Sequence, residues 1–237
     1  MWEAVEREQG VYDEDYLNKV ETLINKLGDA GIYTLVDAHQ DVFSRQICGE
    51  GVPTFYAEHA IGRDPVCFNK WIDPVVSPML AQLGICTDFE SFGFRKDENG
   101  LPLIEDCQSR DFYTYYETKQ SFEAFHSLLV TNAGGIQDAF VAFWDRVTER
   151  FAGNNYVVGY DPLNEPFAGN PTKELANLKP GHFDLNYLQP VYAKIYENAM
   201  KYDSTKHLWF EPVPFPDFLP IAGGTVFPVG FDTPPGG

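Results

Sequence analysis

Three times in this chain a helical pattern is followed within a few residues by a short β-prone run that stops at polar or acidic side chains. Leu17, Val20, Ile24 and Leu27 recur at helical spacing over residues 13–30, with Asp13 placed to cap the start and Gly31 to end it. The run Ile32 to Val36 follows, and then Asp37, His39 and Asp41. Residues 135–152 repeat the pattern through Ile136, Phe140, Phe143, Trp144, Val147 and Phe151. Gly153 and an Asn154-Asn155 turn end that helix, and the strand Tyr156 to Tyr160 runs into Asn164 and Glu165. A third helix over roughly 186–202 carries Leu188, Val191, Tyr192, Ile195 and Tyr196, with Pro190 tolerated in its first turn. His207 to Phe210 follows and ends at Glu211. Helix and strand in alternation imply a parallel sheet covered by helices. In such sheets the chemistry collects at the carboxyl ends of the strands, where these polar residues fall.

The 237 residues suit one large domain, and an eight-stranded α/β barrel uses about 250. Three strand units do not close such a barrel, and "MWEAVE" reads as the tail of a preceding strand-to-helix loop. The expectation is therefore an incomplete (β/α)8 TIM barrel, with about strands 3–5 present across residues 1–237. Residues 42–133 fall outside the repeat and read as a long insertion on the catalytic face. It is rich in Gly, Pro and aromatics, and Trp71 and "DFYTYY" (111–116) are candidates to line a cleft or to pack. It also holds all four cysteines, at 48, 67, 86 and 107. With no C-x-x-C spacing they suggest two disulfides in a secreted or lumenal protein, and three pairings are open.

The formal charge of −18 opposes nucleic-acid phosphates and anionic membranes as partners. No stretch approaches the ~18 apolar residues of a spanning helix, so stable membrane insertion is not expected. The start lacks the charged and apolar regions of a signal peptide. There is no G-x-S-x-G for a serine nucleophile and no glycine loop for phosphate.

What remains is a carboxylate chemistry centred on "GYDPLNEPF", residues 159–167. Cleaving a glycosidic bond near neutral pH needs a carboxyl of raised pKa to protonate the departing oxygen. Glu165 at a strand end, beside an apolar wall, would supply one. The Asn164 amide would bond a sugar 2-hydroxyl, and Pro166 holds Glu165 extended. The plain alternative is a solvated turn. In "DAHQD", period two places Asp37, His39 and Asp41 on one side of an extended segment, suited to sugar hydroxyls. A metal would need further ligands, and His59 has no fitting spacing, so none is assigned. Glu211 before Pro212 is the obvious second carboxylate.

"VDAHQDVFSR", "GYDPLNEPF", "WFEPV" and "GFDTPPGG" together resemble glycoside hydrolase family 5, and within it the endoglycoceramidase branch. The resemblance implies a (β/α)8 barrel and a retaining β-glycosidase without cofactor. The bond cut would be the glycan–ceramide linkage of glycosphingolipids. It implies Glu165 as acid/base, Asn164 beside it, and Asp37, His39 and Asp41 in the subsite next to ceramide. It also implies a secreted or lysosomal location. The family's nucleophile lies on the seventh strand, so Glu211 does not match it, and the expected reading is a partial chain whose nucleophilic Glu lies beyond residue 237. Two alternatives stay open: a β-glucanase of the same family acting on β-glycan, and a non-catalytic sugar- or lipid-binding remnant.

Overall fold

The computed structural model describes residues 1–68, 71, 73–214, 230, 231 and 234. Most of the closing "GFDTPPGG", and the tail before it, lie outside these residues. Helix α1 (Glu14–Asp29) starts where Asp13 accepts a hydrogen bond from the Tyr16 amide at 2.8 Å and buries Leu17 and Ile24. Strand β1 is Thr34–Asp37, shorter at its start than the β-prone run, because Ile32 and Tyr33 stay exposed in the turn after α1. Helix α2 (Ile136–Phe151) buries the apolar face expected of it and leads into strand β2 (Val157–Asp161). Helix α3 (Gln189–Tyr202) has its proline in the first turn and follows a single π-turn at Asp184–Leu188. Strand β3 is only His207–Leu208, although the Trp209 amide still reaches the Tyr160 carbonyl at 2.8 Å.

The three strands pair in parallel in the order β1-β2-β3, with Asp37 opposite Asp161 and Gly159 opposite His207. The parallel α/β layer is thus as the alternation implied. Among the described residues this sheet has three strands and does not close into a barrel.

The insertion is more ordered than its composition suggested. It contains helices at Thr54–Ile61, Asp73–Ala81 and Lys119–His126, the last capped by the Thr118 hydroxyl. Phe43, Phe122, Phe125, Tyr115 and Tyr116 join one apolar core with Phe140, Phe143 and Trp144 of α2. Of the proposed cleft-lining aromatics, Tyr115 and Tyr116 are packed, whereas Phe112, Tyr113 and Trp71 face solvent. The cysteines form two nested disulfides, Cys48–Cys107 and Cys67–Cys86.

Between Cys67 and Cys86 lies a helix turned inside out. Asp73 and Ser77 of Asp73–Ala81 are buried. The Asp73 carboxylate accepts the Cys67 and Phe68 amides and the Ser77 hydroxyl, and pairs with Lys119 at 3.4 Å. Val75, Met79 and, beyond the helix, Leu83 face outward; Met79 is 64% exposed and Leu83 74%. Residues 74–87 carry no charged side chain in a chain of net charge −18.

Candidate active site at the carboxyl edge of the sheet

The segment after β1 keeps the alternation read from its sequence. Ala38 and Gln40 are buried while Asp37, His39 and Asp41 are partly exposed on the other side. His39 lies between the two carboxylates, with Nδ1 3.0 Å from Asp37 Oδ2 and Nε2 3.3 Å from Asp41 Oδ2. Burial opposes a charge on the imidazole, but hydrogen bonds and attraction from Asp37 and Asp41 outweigh it and hold the His39 pKa above its ordinary value. A group raised in this way is favoured in the folded chain at low pH, and its contribution fades as pH rises through the folded pKa. Nuclear magnetic resonance titration should therefore place the His39 midpoint above the ordinary 6.5, and Asp37→Asn should lower it. A midpoint unmoved by that change would mean that the carboxylate does not act on the ring.

Gln40 is the residue the sequence reading passed over. It is 2% exposed, and its amide ties the two strand ends together. Nε2 donates to the Asn164 carbonyl at 2.9 Å and the Glu165 carbonyl at 3.3 Å, and Oε1 accepts the Phe43 amide at 2.8 Å. Asn164 Nδ2 returns a bond to the Gln40 carbonyl at 3.1 Å. Period two puts Gln40 on the side opposite Asp37, His39 and Asp41, and a long amide buried there needs partners. The turn beyond it holds Val42 and Phe43 at φ 51° and 69°, a conformation that costs a β-branched residue most. Tyr116 steadies it, its phenolic oxygen accepting the Val42 amide at 2.9 Å.

Asp41 pairs with Glu50 across a short antiparallel bridge. This approach explains "CGEG" at 48–51. A Cβ on Gly49 would sit 2.2 Å from the Asp41 carbonyl oxygen, and one on Gly51 would sit 2.6 Å from the Gln40 Cβ. Neither position accepts a side chain without moving the segment that carries Asp41.

Asn164 is half-buried and Glu165 exposed, at φ 42° rather than in the extended conformation that Pro166 was expected to impose. Two hydrogen bonds oppose the preference of a residue preceding proline: the Glu165 amide donates to Glu211 Oε2 at 2.9 Å, and its carbonyl accepts from Gln40. The apolar wall expected against the Glu165 carboxyl is not formed by the described residues. Phe167 then buries its ring against Tyr116, Phe122 and Phe125, which anchors the loop in the core of the insertion.

The structure thus gathers Asp37, His39, Asp41, Asn164 and Glu165 along one edge and adds Asp161, which the motif contained but the reading did not use. Asp161 is 8% exposed; burial and the neighbouring Glu211 and Asp37 push its pKa up to about 7. Among the described residues no group of three or more His, Cys, Asp or Glu side chains is arranged to hold a metal ion. No described helix is long and apolar enough to cross a membrane.

Residues 1–201 match the model of the cellulase family, glycosyl hydrolase family 5. The sequence is 31% identical to an endoglycoceramidase of Hydra vulgaris over 229 residues, which make up 95% of this chain and 38% of that protein. An endoglycoceramidase of Cyanea nozakii is 30% identical over 97% of this chain and 40% of its own length. The fold is similar to endo-glycoceramidase II from Rhodococcus sp., solved with a five-membered iminocyclitol. The TM-score is 0.64 at 23% identity, covering 90% of this chain and 39% of that one. The chain therefore spans about 40% of the length of the curated relatives it matches.

Proposed function

The chain belongs to glycosyl hydrolase family 5, and from that premise we propose that it carries the acid/base half of a retaining β-glycosidase acting on the glycan–ceramide linkage of glycosphingolipids. The observation that carries this reading is the convergence of the Asp37–His39–Asp41 set with Asn164–Glu165, laced together by Gln40. In this reading Glu165 protonates the departing glycosidic oxygen and later deprotonates the water that releases the sugar. One N–H of the Asn164 amide is committed to the Gln40 carbonyl, which leaves the other N–H and the side-chain oxygen for a sugar 2-hydroxyl. His39, held between two carboxylates, and those carboxylates themselves offer charge-assisted hydrogen bonds to the hydroxyls of the sugar next to ceramide. The covalent nucleophile comes from a later strand of the barrel than β3.

A lipid aglycone rather than a soluble glucan is favoured by the inside-out helix at Asp73–Ala81, an uncharged apolar face of the kind that meets lipid. The two disulfides favour an oxidising compartment, so we assign the protein to the secreted or lysosomal/lumenal space.

The test is release of ceramide from a defined glycosphingolipid, with cello-oligosaccharide as competitor, using the natural gene product. Ceramide as product supports the reading; cleavage of the oligosaccharide alone would make the protein a glucanase. With the lipid embedded in zwitterionic vesicles, Met79→Glu together with Leu83→Glu should raise KM several-fold and leave a soluble aryl glycoside untouched. Equal effects on both substrates would remove the helix from the argument.

A further inference from the structure

Glu211 does not match the family's nucleophile, yet it is not idle. Its carboxyl neighbours that of buried Asp161, the register partner of Asp37, and burial, Glu211 and Asp37 together hold the Asp161 pKa up. Neighbouring carboxylates at a strand end oppose one another's ionisation. Asp161 Oδ1 is buried without a hydrogen-bond partner among the described residues. Glu211 Oε2 in turn accepts the backbone N–H of Glu165 at 2.9 Å. That residue sits in the left-handed region, which costs a non-glycine residue of order 1–3 kcal/mol and persists only where its surroundings hold it. Gln40 holds the carbonyl side of the same peptide stretch. Behind both, the buried Tyr192 hydroxyl lies 3.3 Å from the Glu211 carbonyl and 3.5 Å from that of Leu163.

We propose that Glu211 is a positioning residue that clamps the backbone of Glu165, with buried Asp161 beside it on the neighbouring strand end. The inference rests on the reading of Glu165 as acid/base for its catalytic consequence, but not for its geometry. The ionisable groups around the pair are Asp37 from β1, Glu165 itself, and Tyr192 and Asp184 from α3 and the turn before it. Ionisation of Asp161 as pH rises through about 7 places a charge beside the clamp, where the Glu165 amide should sense it.

The clamp is tested without substrate, by following the Glu165 amide resonance of the 237-residue chain against pH. The wild type should show a downfield amide proton that moves with a midpoint near neutrality. Glu211→Gln keeps an acceptor for the amide and removes one of the carboxylates that raise Asp161, so the resonance should stay downfield and its midpoint should fall. Glu211→Ala should move it upfield. A flat wild-type titration overturns the proposal, as does a midpoint that Glu211→Gln leaves unmoved. In the assay on glycosphingolipid, Glu211→Ala should lower kcat by about 10²-fold with KM little changed, the size expected for a displaced catalytic group, and Glu211→Gln should recover most of it. Loss of activity in Glu165→Gln beside a flat amide titration would keep the acid/base reading and sink only the clamp. A titrating amide in an enzyme indifferent to Glu165→Gln would sink the acid/base reading alone.

Discussion

Replacing Glu165 by Gln is expected to lower kcat/KM on a glycosphingolipid by about 10²–10⁴-fold, the share that a positioned general acid contributes. The amide is close in size and keeps the backbone bonds to Glu211 and Gln40, so the loss measures the proton rather than the fold. The same variant should lose far less on a glycoside whose leaving group departs without protonation. There the first step needs no acid, and the sugar–enzyme intermediate should accumulate because its hydrolysis still needs the base. A burst of leaving group followed by slow turnover is the kinetic signature to look for. Equal losses on good and poor leaving groups would mean that Glu165 does something other than transfer a proton.

The part of this site that the sequence disclosed is the part that local periodicity controls. Leu17 and Ile24 recur at helical spacing, and Asp13 caps the helix they anchor. Alternation alone separated Asp37, His39 and Asp41 from buried Ala38 and Gln40. The partners of Gln40 on the neighbouring strand end were out of reach because they lie 124 and 125 residues away. The amide of Glu165 likewise finds its acceptor 46 residues on, and no local rule pairs a strand-end carboxylate with a distant N–H. The same distance hid the conformation of Glu165: the proline after it argued for an extended backbone, and tertiary hydrogen bonds overrode it. Strand β3 came out shorter than "HLWF" suggested, since β-propensity describes a side chain's fit to a pleated surface and a neighbouring strand must still be there to pair. The helix at Asp73–Ala81 was illegible for a different reason. Asp73 and Ser77 are buried while Val75 and Met79 face outward, so amphipathic pattern-reading had no clean apolar face to find.

Breaking Cys48–Cys107 should cost about 4 kcal/mol of stability, and breaking Cys67–Cys86 about 3 kcal/mol, because the first closes a separation of 59 residues and the second one of 19. For a chain of this size the larger loss lowers Tm by roughly 8–16 °C. Paired replacement of each bridge by alanines, followed by thermal unfolding, checks the order as well as the size. The outer bridge also bears on the site. Cys48 adjoins Gly49 and Glu50, whose backbone pairs with Asp41, and Arg45 reaches from the same turn to the Pro102 carbonyl near Cys107. Freeing Cys48 therefore loosens the strip against which the Gln40–Asp41 backbone is seated. The expected result is a raised KM at temperatures where the protein is still folded, with a smaller change in kcat, since the Glu165 amide keeps its bond to Glu211. Loss of Cys67–Cys86 should leave KM on a soluble glycoside nearly unchanged. If removing the inner bridge proved the more damaging to Tm, loop closure would not be what these disulfides contribute. If both removals left KM alone, the insertion would be a stabilising element with no hold on the sugar subsite.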